Sequence, residues 1–166
     1  MDFYKKNNAP YEEIFNHIAD ICNLMRFCFE SDNLEEVIKA FNYLRSCEDM
    51  TSEIQLPMVL IRKRFSLSGF EYMCLMLALA SALEGKGSPT FFEAAEHYPF
   101  FQNAEVFASL VENNTLKYLL DSEEGCGLLR HFQIKSIVLN FIIEKNISHN
   151  NIFFNTYIKK YPIIYK

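Results

Sequence analysis

The sequence predicts a mainly α-helical fold: a helical hairpin at the N-terminus, then short helices closed by a small β-hairpin and a last helix. Three observations carry that prediction. Apolar residues recur at spacings of three and four from Tyr11 onward, the period of a helix face. Two Ser/Thr-x-x-Glu starts, Ser68 with Glu71 and Thr90 with Glu93, stand mid-chain where helices begin. Finally, two short apolar-polar runs flank the turn-forming stretch Asp121 to Gly127, as in a β-hairpin with a longer loop.

Composition bounds the class. A chain of 166 residues has room for one sizeable core. With 50% hydrophobic residues, among them sixteen Phe and nine Tyr, it has ample apolar surface to offset the entropy of folding, which excludes a disordered chain. The longest apolar stretch, Met73 to Leu83 with Ser81 tolerated, is about half of the roughly 20 residues a bilayer span needs, so no membrane partner is expected. Asp2, Lys5 and Lys6 stand where a secretory leader would be apolar, so the expected location is the cytoplasm. Five cysteines, none in a C-x-x-C pair, read as packed thiols. Residues 1–50 hold five Lys/Arg against ten Asp/Glu and the remainder eleven of each, so the whole net charge of −5 lies in the first third. Such asymmetry suggests two structural parts.

The elements follow in order. Tyr11, Ile14, Ile18, Ile21, Met25 and Cys28 define a helix from Pro10 to Glu30, with Pro10 in its first turn. Asp32 and Glu35 have capping-box spacing before a second helix marked by Leu34, Val37, Ile38, Phe41 and Leu44, and a short turn near Ser31 makes the two an antiparallel pair. A short helix runs from Leu56 to Arg64. The helix opened by Ser68 extends to about Leu83 and is apolar on every side, which places it at the centre of the core. Gly85 and Gly87 end it. Thr90 opens another helix, to Pro99, and a third runs from about Asn103 to Glu112. The strands are expected at Thr115 to Leu120 and Leu128 to Ile134, and a closing helix from Ile137 to Lys145.

Helix, helix, helix, hairpin is the order of a winged-helix domain. The organisation is therefore an N-terminal helical hairpin arm at 1–50, a winged-helix domain at 51–145, and a C-terminal extension or linker at 146–166.

Ile54-Gln55-Leu56-Pro57, then Phe65 through Glu71, then the apolar Leu75 to Leu83, resemble the N-terminal winged-helix region of bacterial AAA-type ATPases. Pro89-Thr90 and Leu128-Leu129-Arg130 occupy the places of that family's Pro-Thr helix and the short strand before its ATPase core; Gly69 stands where the family usually has Pro. The resemblance covers roughly residues 54 to 145. It implies the front piece of a longer ATPase, or a free-standing relative of it, acting through protein contacts: with the ATPase core in cis, or with a substrate or adaptor protein. It implies no cofactor here; ATP and magnesium belong to a following core.

The residues themselves offer little chemistry. Gly85-Lys86-Gly87-Ser88 puts a Gly between Lys and Ser, lacks the leading Gly of a phosphate loop and follows a helix, so it reads as an interhelical turn. His17, His97, His131 and His149 are far apart, and the adjacent Glu123 and Glu124 diverge, so neither set makes a metal or acid-base centre. Arg62-Lys63-Arg64 is the single basic cluster and favours a helix C-terminus. The same three are the candidate nucleic-acid contacts under the alternative reading, a winged-helix DNA-binding transcription regulator. Against that reading, the third helix carries Glu105 and Glu112 without Lys or Arg, and the hairpin turn carries Asp121, Glu123 and Glu124, charges that repel phosphate. The candidate protein-contact patch lies on the arm. Phe27, Phe29 and Tyr43 fall off the apolar stripe, rimmed by Glu30, Glu35 and Glu36, and would serve partner binding or self-association.

Overall fold

A helix that is apolar all round can only be stable with neighbours on every side, and the fold is arranged around one. The computed structural model describes residues 7–52, 55–100, 106, 114–123 and 127–144. Its elements are α1 (Ile14–Glu30), α2 (Leu34–Asp49), α3 (Pro57–Arg64), α4 (Gly69–Glu84), α5 (Phe91–His97), a 3-10 turn (Asn114–Tyr118), β1 (Leu120–Ser122), β2 (Phe132–Ile134) and α6 (Ser136–Ile143). Twelve consecutive residues of α4, Phe70 to Ser81, are buried. Helix α1 lies against one side of α4, β2 and α5 against others, and α6 lies against α3. One hydrophobic cluster runs through both the arm and the rest, from Ile21 and Leu44 to Phe132 and Phe141.

Both helix starts expected from sequence are capping boxes. Ser68 Oγ accepts from the Glu71 amide at 3.2 Å while Glu71 Oε1 accepts from the Ser68 amide at 2.9 Å. Thr90 and Glu93 repeat the exchange at 3.1 and 3.2 Å. At the far end of α4, Gly85 has φ 68°, the left-handed conformation that closes a helix without a Cβ penalty.

Four boundaries differ from the sequence reading. Helix α1 begins at Ile14, not Pro10, because the Tyr11 amide donates to Thr51 Oγ1 at 2.8 Å and holds that stretch outside the helix. Helix α2 is capped by Asn33, whose side chain accepts from the Glu36 amide at 3.3 Å, and not by the Asp32–Glu35 pair. The stretch Thr115 to Leu120 is largely a 3-10 turn, with the strand confined to Leu120–Ser122. Its buried residues are Thr115, Leu116, Leu119 and Leu120, a helical spacing, and Thr115 Oγ1 donates to the buried Glu71 Oε2 at 2.8 Å. The second strand is likewise shorter, Phe132–Ile134, with Leu128 to Arg130 in the turn before it. The helix expected at Asn103 to Glu112 and the extension at 146–166 lie outside the described residues, except for Val106, which is helical and buried.

The strands pair antiparallel with Leu120 opposite Ile134 and Ser122 opposite Phe132. A third short chain joins them where Thr90 bridges His131, with Phe132 donating to the Pro89 carbonyl at 2.9 Å. The spatial order is therefore Thr90, β2, β1. Phe91 and Phe132 stack beneath this junction with ring centres 4.5 Å apart.

Candidate functional site

The residues of the arm patch lie at several places along α1 and α2. Phe29 lies near the end of α1, half-buried, its ring stacked on His97 of α5 with centres 4.0 Å apart. Phe27 is half-buried and packs against the core. Tyr43 lies two turns into α2, near Asp20 and Cys47; burial and both neighbours push its hydroxyl up to about 12. Glu35 is exposed at the start of α2 and Glu36 is half-buried beside it, where both favour the positive end of the helix dipole.

Phe29, with its neighbour Glu30, borders a cavity. About 170 Å³ opens between α1, the C-terminal half of α4 and α5. Its floor is apolar, made by Met25, Phe29, Leu77 and Ala80. Its rim is charged: Arg26 bonds Glu84 at 2.8 Å across the groove, Lys86 reaches the other Glu84 oxygen at 3.0 Å, and Glu30 and Glu93 stand at the edges. Three carboxylates against two cations leave the rim net negative. Cys22 also lines it, and burial together with Glu84 raises its thiol above the ordinary value.

The basic cluster is divided by the fold. Lys63 is exposed and Arg64 half-buried, whereas Arg62 is only 5% exposed and donates from Nη1 to Glu48 Oε1 at 3.2 Å. Arg62 is thus withdrawn from any basic surface; consecutive side chains on a helix point about 100° apart, so three in a row cannot share one face.

What sequence reasoning missed is the node that holds Arg62. Glu48, on α2 and 1% exposed, receives hydrogen bonds from three other elements: His17 Nε2 of α1 at 2.7 Å, Arg62 of α3 at 3.2 Å, and the Tyr72 hydroxyl of α4 at 2.5 Å. Burial, then the Glu48 charge, push the Tyr72 hydroxyl well above its ordinary value, so it stays protonated and donates. The Arg62 guanidinium also lies 5.0 Å over the Tyr72 ring, a cation-π contact. His17 Nδ1 is buried with no partner among the described residues. A signal for the node exists in the sequence: His17 and Glu48 each fall on the apolar stripe of their own helix, where a polar residue needs a partner.

Among the described residues, no helix is long and apolar enough to cross a membrane, and no group of three or more His, Cys, Asp or Glu side chains is placed to hold a metal ion. His131 Nδ1 lies 3.2 Å from the exposed Glu123 carboxylate, and hydrogen bonds from the backbone and ring of His131 hold the Glu123 carboxyl below its ordinary value. The described cysteines, Cys22, Cys28, Cys47 and Cys74, are free thiols. Comparison with family models, curated proteins and solved structures finds no match for this chain.

Proposed function

We propose that this chain is a cytoplasmic, non-catalytic interaction module, and that the Phe29 groove is where it meets another protein. The single observation that carries the reading is the anatomy of that groove: an aromatic and aliphatic floor, with Phe29 stacked on His97, inside a ring of charge. Interfaces are built in that pattern, with apolar anchors at the centre and a polar rim. The net negative rim and the acidic arm select the occupant, a basic amphipathic segment of a partner protein.

The finer reading is a winged-helix domain, the regulatory or substrate-recruiting front of an AAA-type ATPase. Two features support it. The order α4, the Thr90 pairing, α5, β1, β2, with Thr90 and β1 on opposite sides of β2, is the order expected of a winged-helix domain. The helix starts on which the resemblance rests, at Ser68 and at Pro89-Thr90, are both N-caps. The alternative of DNA binding is weakened by the withdrawal of Arg62 and by Asp121 and Glu123 beside the turn.

The test is fluorescence anisotropy of labelled helical peptides, one basic and amphipathic, one acidic with the same apolar face, on the full chain. The basic peptide is expected to bind and the acidic one not. Phe29→Ala should weaken it by about thirtyfold, as a central aromatic anchor worth roughly 2 kcal/mol does. Equal binding of both peptides, or no effect of Phe29→Ala, would sink the proposal.

A further inference from the structure

A second cavity, of about 210 Å³, opens between the last turns of α2, the first half of α4 and the segment after α5. A space of roughly 150 Å³ accepts benzene, so this one has room for a single aromatic ring with a short substituent. Its walls suit a ring. Phe41 meets Phe100 edge-on with centres 5.9 Å apart, Tyr98 meets Phe100 at the same distance, and Met76 adds a polarizable sulfur.

The polar end is set by the Glu48 node, which lines the same cavity. Both Glu48 oxygens are engaged: one accepts from Arg62, the other from His17 and Tyr72. Arg62 is only partly engaged. Of its five N–H donors, only Nη1 is engaged among the described residues, which leaves Nε and Nη2 unspent on a side chain 95% buried at the cavity wall. Arg45 stands at the mouth, its guanidinium 3.3 Å from the exposed Asp49. Asp49 balances Arg45 and Glu48 balances Arg62, so what the cavity wall still offers is the unspent hydrogen-bond donors of Arg62.

From this juxtaposition we propose that the cavity binds a small aromatic monocarboxylate, its ring among Phe41, Tyr98 and Phe100 and its carboxylate on the free edge of the Arg62 guanidinium. The planar fork of Arg matches a carboxylate in two parallel hydrogen bonds. A neutral ring of the same size would leave those donors buried without an acceptor, and an aromatic amine would meet Arg62 and Arg45 with like charge.

The experiment is calorimetric and NMR titration of the full chain with phenylacetate, and with benzyl alcohol and phenethylamine as neutral and cationic counterparts. Phenylacetate is expected to bind saturably with a dissociation constant on the order of 1 mM or tighter, as a ligand of that size allows. Benzyl alcohol should bind at least about tenfold more weakly, the fold-change of one charge-assisted hydrogen bond, and phenethylamine not at all. Arg62→Lys keeps the charge and removes the fork, and is expected to lose at least tenfold. Since that change also touches the buried node, Asn42→Trp, at an exposed position on the cavity lining, serves as a second variant that plugs the mouth and abolishes binding with the fold intact. The proposal is overturned if phenylacetate shows no saturation by about 10 mM, if benzyl alcohol binds as tightly, or if Asn42→Trp leaves the affinity unchanged.

Discussion

His17 Nε2 and Glu48 Oε2 lie 2.7 Å apart, with the two side chains 0% and 1% exposed, and the contact joins the first helix of the arm to the last turn of the second. Arg62 and Tyr72 bring α3 and α4 to the same carboxylate. Removing the carboxylate leaves a buried guanidinium without its counter-charge, a change that costs about 3–5 kcal/mol in comparable sites. Glu48→Ala is therefore expected to lower the urea midpoint severely, while Arg45→Ala, which breaks only the exposed pair with Asp49, should change stability by less than about 1 kcal/mol. Similar losses for the two variants would show that the node contributes no more than a surface pair.

The start of α4 carries two separable interactions. Ser68→Ala removes one N-cap bond and should cost about 1 kcal/mol. Thr115→Val removes a buried hydrogen bond donated to Glu71 Oε2, a change that costs about 1–3 kcal/mol. Since both act on Glu71, the double variant is expected to be non-additive. Thermal melts of the four proteins measure this; strictly additive losses would mean that the cap and the Thr115 bond do not share Glu71.

How much of this was legible follows from where each signal resides. The central helix was, because its apolar positions and the Ser68–Glu71 spacing are local. The edges of the elements were not, where a remote side chain decides: Thr51 draws Tyr11 out of α1, and Glu71 draws Thr115 into a 3-10 turn. Phe29 stands off the main stripe in the sequence, but the periodicity of one helical pair relates it only to Phe27 and Tyr43, whereas His97, Leu77 and Glu84, which surround it in the fold, come from α5 and α4. The Glu48 node draws on four elements, and only tertiary packing brings them together.

Alkaline conditions should destabilise the fold in a defined window. Burial pushes the Cys28 thiol up to about 12 from an ordinary value of 9.0. Because the native value is raised, the contribution is fully present below about 9 and is lost as pH climbs towards 12, when the unfolded chain gives up a proton that the native chain keeps. The loss is up to about 1.4 kcal/mol per pH unit for one such proton. Urea midpoints measured between pH 8 and pH 11 are expected to fall above about 9, and Cys28→Ala should fall less steeply. A midpoint that is flat across the window, or identical slopes in the two proteins, would refute the assignment to Cys28.

The last expectation concerns whether the arm can be removed. Helix α4 has no polar face, so the side covered by α1 is as apolar as the side covered by β2 and α5. The arm itself buries Ile21, Leu24, Met25, Cys28, Val37, Leu44 and Cys47 in the shared cluster. Each large side chain of that kind contributes about 1.5–3 kcal/mol when buried, and their sum matches or exceeds the 5–15 kcal/mol that a whole domain usually has in hand. Deleting residues 1–50 also strips Arg62 of Glu48. The fragment 51–166 is thus expected to lose cooperative folding, to bind a hydrophobic dye and to associate through the exposed face of α4. Circular dichroism melts and sedimentation of the fragment decide the matter. A monomeric fragment with a cooperative transition within a few degrees of the full chain would mean that the arm is an appendage and that the core of the remaining residues closes without it.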